Sequence, residues 1–357
     1  VLCERVSYEL PITQKLLSIL GVFSKTFWQE IYIIKKAYRK PITFLQIKTA
    51  LQTLRKGYYI GKAVKKIIYT YSIETDSRYL YSYWTNDMAF VNAYISSQIL
   101  VQALFSRAHG WDVYFEVNDS QYLPYRKYIL HNSQGILFIS QRGKEYYNQL
   151  FSELQKKIRI SYLGVSLQQK SECRLNSFKR VVSCSNIIPI KQVHVIIQAL
   201  SKIEYAQIEW IHFGDGPLFE EIRELSSRFL LNKSNITFRL AGRVSNTKVI
   251  EYYSHNQVDC LLNVSLSEGI PVSMMEAMSF GIPVIGTNVG GVSEIIEHEK
   301  NGFLLSPTPS KEEVAAAIER FCSLSLDDVQ TMRANAYNTW NTKFNAQKNY
   351  KAFIEQI

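Results

Sequence analysis

Two acidic side chains flank a glycine- and proline-containing corner in the second half of the 357-residue chain. Glu268 stands immediately before Gly269, and Glu276 follows after seven intervening residues. Gly269 permits a sharp turn and lets a ligand approach the backbone closely. Because a carboxylate can accept two hydrogen bonds from a vicinal diol, this pair is suited to hold a ribose or a hexose.

The same corner predicts a place for an anion. Pro271 suits the first turn of a helix, where its missing N–H removes no hydrogen bond. We expect this helix over residues 271–280, with Gly281 as its stop. Free N–H groups at the helix start favour an anionic group such as a diphosphate.

The second half of the chain alternates short apolar runs with helix-like segments. This alternation predicts a doubly wound parallel sheet. The predicted strands are 178–187, 208–214, 236–242, 258–265 and 282–287, and the predicted helices are 193–203, 218–228, 247–255, 271–280 and 292–298.

The first half is less regular but predicts a second α/β domain. Residues 1–66 are expected to be mainly helical, and the polar segment 166–177 reads as an interdomain linker. We expect domains over 1–168 and 169–339, with a helix at about 340–357 that packs back on the first domain. The predicted strands of the first half are 66–72, 80–84, 99–108, 135–140 and 158–165.

The Glu268–Glu276 pair, with Gly269, Pro271 and the following Gly-Ile-Pro-Val-Ile of 281–285, resembles the signature of glycosyltransferase family 4. That resemblance implies a GT-B fold, in which two Rossmann-like doubly wound parallel-sheet domains face a cleft. Other segments are similar to the family's capsule and exopolysaccharide branch, and together they span roughly residues 80–310. They are Gly214–Pro217, Gly242, Gly290–Gly291 with Glu294, Asn301–Leu304, 106–114, 122–126 and 138–147.

The resemblance also implies roles for individual residues. Glu276 would bind the ribose hydroxyls, and Glu268 the hydroxyls of the donor sugar. Lys191 would contact the diphosphate, and His109 would be the active-site histidine on the N-terminal side. Asn186 stands where the family usually has arginine, so that only the lysine of an Arg/Lys pair is present. The remaining donor-binding positions implied are Gly269 and Ile270 through their backbone N–H groups, Pro271, Val272, Gly214 and Arg243, although Gly214 and Gly216 also fit a purely turn-forming role.

The implied reaction is hexosyl transfer from a UDP-sugar or GDP-sugar with retention at the anomeric carbon. Such enzymes work by stabilising the departing diphosphate, which requires positive charge and oriented N–H donors. The sequence contains no His/Cys/Asp cluster with ligand spacing, so we expect neither a protein-bound metal nor a cofactor. The five cysteines are scattered and odd in number, which favours a reducing, cytoplasmic compartment.

Charge is distributed unevenly along the chain. Residues 1–170 hold 23 Lys/Arg and 11 Asp/Glu, a balance of +12, whereas the remainder is close to neutral. A basic half indicates an anionic partner such as a membrane surface or a lipid-linked phosphate acceptor, or else a solvated basic face. No nucleic-acid-binding motif accompanies the charge. The sequence therefore predicts a nucleotide-sugar donor, a lipid-linked or glycan acceptor, and peripheral contact with the inner face of a membrane.

Three functions remain open from the sequence. The first is a glycosyltransferase for cell-surface polysaccharide. The second is a non-catalytic subunit that binds a partner glycosyltransferase, motivated by Asn186 and an irregular first domain. The third is a sugar-nucleotide epimerase on the same fold. Residues 1–66 show no opening strand with a glycine-containing loop, so we also expect that the first strand of the N-terminal domain lies upstream of Val1.

Overall fold

The computed structural model describes residues 6–7, 9–166 and 178–356, and it divides into two compact units. Unit 1 runs to Ser161 and unit 2 from Tyr162 to Gln356. The expected boundary was 168/169, and most of the expected linker, 167–177, lies outside the described residues.

The parallel sheet of unit 1 is four-stranded in the described part of the chain, and its strands follow chain order. Four of the predicted strands are confirmed in shortened form. They are β1 (Tyr79–Ser82), β2 (Ala103–Ala108), β3 (Gly135–Phe138) and β4 (Ile158–Ile160).

The strand predicted at 66–72 is wrong, because residues 66–70 form the end of a long helix, α3 (Phe44–Thr70), and residues 71–72 form the turn that follows it. This helix begins with a capping box: Thr43 Oγ1 accepts from Gln46 N, and Gln46 Oε1 accepts from Thr43 N. Its buried face, which includes Leu54 and Ile68, follows the helical period. The other helices of unit 1 are α1 (Ile12–Leu16), α2 (Lys25–Lys36), α4 (Asp87–Ser96), α5 (Arg126–Asn132) and α6 (Gln141–Leu150).

The doubly wound sheet predicted for the second half is confirmed in unit 2. Its described strands are all parallel and lie in the order β10-β9-β8-β5-β6-β7. The winding therefore reverses between β5 and β8. The strands are β5 (Lys179–Cys184), β6 (Ile208–Phe213), β7 (Ile236–Leu240), β8 (Cys260–Asn263), β9 (Val284–Thr287) and β10 (Gly302–Leu305), the last of which was not predicted.

The helices of unit 2 cover both faces of this sheet's apolar strands. The described helices are α7 (Val193–Leu200), α8 (Phe219–Leu230), α9 (Asn246–His255), α10 (Val272–Ser279), α11 (Val292–Ile295), α12 (Lys311–Cys322), α13 (Leu326–Lys343) and α14 (Ala346–Ile354). No described helix is both long enough and apolar enough to cross a membrane.

The C-terminal helix α14 is part of unit 2. Ala346 N donates to Val165 O over 3.1 Å, and Asn349 Nδ2 donates to Leu163 O over 2.8 Å. These bonds tie the helix to the first residues of unit 2. Leu163 and Val165 belong to unit 2, and both also lie within residues 1–168, the domain on which we expected residues 340–357 to pack.

Candidate functional site

The reversal of winding in unit 2 places the loops after β5 and β8 side by side. Ligands of open α/β sheets bind at such a switch point, outside the carboxyl ends of the strands. Leu266 N donates to Ile190 O over 2.8 Å, which joins the two loops. The predicted residues Lys191 and Glu268 stand next to these positions, one on each loop.

Lys191 and Glu268 form an ion pair, with 2.6 Å between Nζ and Oε1. Asn263 Nδ2 donates to the same carboxylate oxygen over 3.2 Å. The two charged side chains retain 21% and 11% exposure, so the pair is shielded but reachable. Asn263 is the last residue of β8 and was not identified from the sequence.

The helix start beside this pair is α10. Pro271 is the N-cap, with φ −70° and ψ 117°, one position earlier than the first helical turn in which we expected it. Among the described residues, the N–H groups of Val272, Ser273 and Met274 have no hydrogen-bond acceptor. These open first-turn amides carry the partial positive charge that favours an anion.

Gly290 and Gly291 support the loop that carries Glu268. Gly291 N donates to Gly269 O over 2.6 Å. Gly290 has φ +54°, and a Cβ there would lie 1.8 Å from Glu268 O. The glycine pair is therefore required for close contact between the two loops.

A cavity of about 590 Å³ opens beside the carboxyl ends of β5 and β6. It contains three of the predicted donor-binding residues, Asn186, Gly214 and Arg243. The volume is within the usual range for a small-molecule site. The other lining residues are Cys184, Ser185, Ile188, Phe213, Asp215, Gly216, Pro217, Val244, Asn246 and Val249.

Gly214 and Gly216 shape the wall of this cavity. Gly214 has φ +146°, and a Cβ there would lie 1.8 Å from Ser185 O. A Cβ on Gly216 would lie 2.4 Å from Ile187 O. Both glycines thus allow the loop after β6 to approach the loop after β5.

Glu276 borders the cavity through Asn246, whose Nδ2 donates to Glu276 Oε1 over 2.8 Å. Burial raises the pKa of Glu276, and the Asn246 amide only partly offsets this effect. The carboxylate is therefore desolvated and has one described hydrogen-bond partner. It retains acceptor sites for a ligand diol.

Replacing Glu276 by glutamine should weaken UDP binding about 10- to 100-fold, which is the usual cost of losing hydrogen bonds to a charged group. A carboxyl with a raised folded-state pKa opposes folding once it is ionised, so Glu276→Gln should leave the thermal unfolding midpoint unchanged or higher.

For the parent protein, UDP affinity should fall as pH decreases through the raised pKa of Glu276. Calorimetry at several pH values measures the UDP affinity and the unfolding midpoint of the parent and the variant. Glu224→Gln, at an exposed position of α8, is the control. Undiminished affinity in Glu276→Gln would contradict the role.

His109, the predicted active-site histidine, follows β2 in unit 1. Its ring lies 4.6 Å from the ring of Tyr83 and 6.1 Å from that of Trp84, measured between centroids. Both ring nitrogens are buried, and neither has a hydrogen-bond partner among the described residues. The imidazole is held by packing, and its Nδ1 lies 3.9 Å from Oδ2 of Asp112.

Asp112 fixes the loop that carries His109, a role that sequence reasoning missed. Its two carboxylate oxygens accept backbone N–H groups from His109 (2.8 Å), Gly110 (3.0 Å) and Thr85 (2.8 Å). Burial raises the pKa of Asp112, but the neighbouring His109 and the backbone donors outweigh burial, so the pKa lies below its usual range.

Replacing Asp112 by asparagine should destabilise the protein by about 1–3 kcal/mol at pH 7, because backbone donors lose a charged acceptor. A depressed folded-state pKa stabilises the fold above the ordinary aspartate pKa, and this contribution is lost as pH falls through the folded-state pKa. The difference in unfolding free energy between the parent and Asp112→Asn should therefore become smaller in acid. Thermal unfolding of both proteins at pH 7 and pH 3 checks this, and a difference that does not change with pH would contradict it.

Residues 168–339 match the family model described as glycosyl transferases group 1. The matched segment covers most of unit 2. The match agrees with the resemblance that the Glu268–Glu276 segment indicated.

Proteins similar to this chain come from archaea and bacteria. The chain is 26% identical over 271 residues to the uncharacterized glycosyltransferase MJ1178 of Methanocaldococcus jannaschii. That match covers 74% of this chain and 70% of MJ1178. The chain is also 26% identical over 202 residues to the putative colanic acid biosynthesis glycosyltransferase WcaL of Escherichia coli. That match covers 54% of this chain and 49% of WcaL, so the chain spans about half the length of this relative.

Solved structures show the same fold. Anabaena Alr3699/HepE, in complex with UDP and glucose, matches with a TM-score of 0.64 at 19% identity, over 83% of this chain and 82% of that one. A glycosyltransferase from Rickettsia africae matches with a TM-score of 0.65 at 16% identity, over 96% and 91%. The GT-B fold expected from the sequence is thereby confirmed for this chain.

Proposed function

We propose that the protein is a retaining hexosyltransferase that moves a sugar from a UDP-sugar or GDP-sugar to a lipid-linked or polysaccharide acceptor in cell-surface glycan synthesis. The observation that carries this proposal is the Lys191–Glu268 pair at the switch point, next to the open first-turn amides of α10. The pair combines a cation for a leaving diphosphate with an acceptor for sugar hydroxyls.

The chemistry follows from where charge develops. As the bond from the anomeric carbon to the diphosphate breaks, negative charge grows on the departing oxygen. The Lys191 ammonium and the α10 amides stabilise that charge without having to reorganise. Glu268 orients the sugar through its hydroxyls, and Glu276 holds the ribose. No protein nucleophile is required, and the acceptor attacks from the face that the diphosphate leaves.

Relatives support the substrate classes. The pneumococcal O-GlcNAc transferase GtfA, with a TM-score of 0.60, was solved with UDP and GlcNAc, and HepE with UDP and glucose. WcaL and Erwinia amylovora AmsK are named for colanic acid and amylovoran biosynthesis. An anionic, lipid-linked acceptor also suits the balance of +12 in residues 1–170.

Labelled nucleotide sugars incubated with the protein and a membrane extract test the proposal. We expect transfer of label from one donor into extractable lipid or polymer, and nuclear magnetic resonance of the product should show the donor's anomeric configuration. Neither transfer nor donor hydrolysis with any of the UDP- and GDP-sugars would contradict the enzymatic function. An inverted anomer would contradict retention alone.

A non-catalytic binding subunit is the second candidate, favoured by one observation. Asn186 lines the cavity at the position where the family usually has arginine, so the site has one cation of the expected pair. Calorimetry with UDP and GDP separates the candidates. Binding together with turnover supports the enzyme, whereas binding of neither nucleotide supports the inert subunit.

A further inference from the structure

A second cavity, of about 650 Å³, lies in unit 1 between α2 and α5. None of its lining residues belongs to the loop that carries His109. One tryptophan and three tyrosines line it: Trp28 and Tyr32 from α2, Tyr125 at the N-cap of α5, and Tyr128 from α5. Trp28 is 59% exposed and Tyr32 is 65% exposed, so their rings present free apolar surface to the cavity and to solvent.

A buried carboxyl group also lines this cavity. Glu30 is 1% exposed. Its Oε1 accepts from Tyr122 Oη over 2.7 Å and from Tyr125 N over 2.8 Å. Its Oε2 is buried and has no hydrogen-bond partner in the described part of the chain. A buried polar atom without a partner is costly, and a ligand that pairs with it recovers that cost.

The ligand group that suits Glu30 is a hydroxyl. Burial raises the pKa of Glu30 to about 7, against the opposing effect of its bonds to Tyr122 and Tyr125. Near neutral pH the Oε2 atom is therefore a donor in some molecules and an acceptor in others. A hydroxyl both donates and accepts, so it pairs with either form.

The charges around the cavity argue against a phosphate ligand. Lys127 is paired with Glu153, at 2.6 Å between Nζ and Oε1. Burial and the nearby lysines lower the pKa of His131, which keeps this ring neutral at pH 7. Lys25 is the remaining lining cation, and it is exposed to solvent. A neutral ligand with several hydroxyls fits this balance better than an anion does.

We propose that the cavity between α2 and α5 binds a pyranose unit of a neutral oligosaccharide, packed against the rings of Trp28, Tyr32 and Tyr128 and hydrogen-bonded to Glu30 Oε2. Aromatic faces supply apolar contact area at low entropic cost, and one buried polar group fixes orientation. This site is additional to the donor site of unit 2 and does not depend on the proposed transfer activity.

Calorimetric titration of the whole protein with maltohexaose, cellohexaose and chitohexaose tests the inference without any donor nucleotide. We expect at least one of the three to bind, and Tyr32→Ala to weaken that binding at least tenfold. Tyr32 is exposed on a helix, where alanine is well tolerated, so this variant should fold normally. Tyr205→Ala removes a tyrosine that is 86% exposed in unit 2, and it should leave the affinity unchanged.

Three results would overturn the inference. The first is that none of the three oligosaccharides binds at millimolar concentration. The second is that inorganic phosphate or phosphatidylglycerol vesicles bind in a manner sensitive to Tyr32→Ala while the oligosaccharides do not, which would assign the cavity to an anion or a lipid surface. The third is that Tyr32→Ala and Tyr205→Ala weaken oligosaccharide binding equally.

Discussion

Replacing Lys191 by methionine is expected to reduce kcat/KM for sugar transfer about 100- to 1,000-fold, the usual loss when one stabilising group is removed from a developing anion. Methionine keeps much of the side-chain length and removes the charge. Lys191 Nζ lies 2.6 Å from Glu268 Oε1, so the substitution also leaves that carboxylate without its cation. An unpaired carboxylate beside the departing diphosphate would repel it, which adds to the loss of rate.

Whether the loss of kcat/KM lies in kcat or in KM shows how Lys191 acts. If it stabilises the leaving group, most of the loss should lie in kcat, because that charge develops only during the reaction. Lys202→Met, at an exposed position after α7, serves as the control and should leave both constants unchanged. A Lys191→Met enzyme with parental kcat and only a raised KM would show that the ammonium binds the donor without assisting its departure.

The local pattern of unit 2 could be predicted because each strand is short, apolar and followed by its own helix. The reversal between β5 and β8 could be expected from that alternation, but the pairing of Lys191 with Glu268 could not. These residues are 77 positions apart, and only the family resemblance connected them. Strand β10 was missed because Gly302–Leu305 is short and the residues directly after it are polar or proline, so no helix-like apolar pattern follows at once.

The errors in the first half have a physical cause. The run 66–72 is rich in isoleucine and tyrosine, which have high strand propensity. It nevertheless continues a helix that is capped at Thr43 and packed along one face, and this tertiary context overrides the local preference. Supporting polar residues were missed for a related reason. Asp112 and Asn246 are ordinary in sequence, and the fold brings them partners that are 27 and 30 positions away, Thr85 and Glu276.

Replacing Gly290 by alanine is expected to destabilise unit 2 by about 2–5 kcal/mol. The left-handed φ of +54° costs a non-glycine residue about 1–2 kcal/mol. The added Cβ would lie 1.8 Å from Glu268 O, and the forced shift adds about 1–3 kcal/mol of overpacking. Because the clash falls on the backbone of Glu268, the shift moves this carboxylate relative to Lys191. A displacement of about 1 Å can reduce the rate about 100-fold.

Gly242→Ala separates the backbone cost from the steric cost, because Gly242 has a similar φ of +67° but a Cβ there would meet no atom within 4 Å. It should therefore show only the backbone cost of about 1–2 kcal/mol. Urea unfolding of parent and both variants measures the difference, and transfer assays measure whether the Glu268 loop has moved. If the two substitutions cost the same and both preserve transfer, Gly290 is needed in this loop for its φ angle alone and does not hold Glu268 in place.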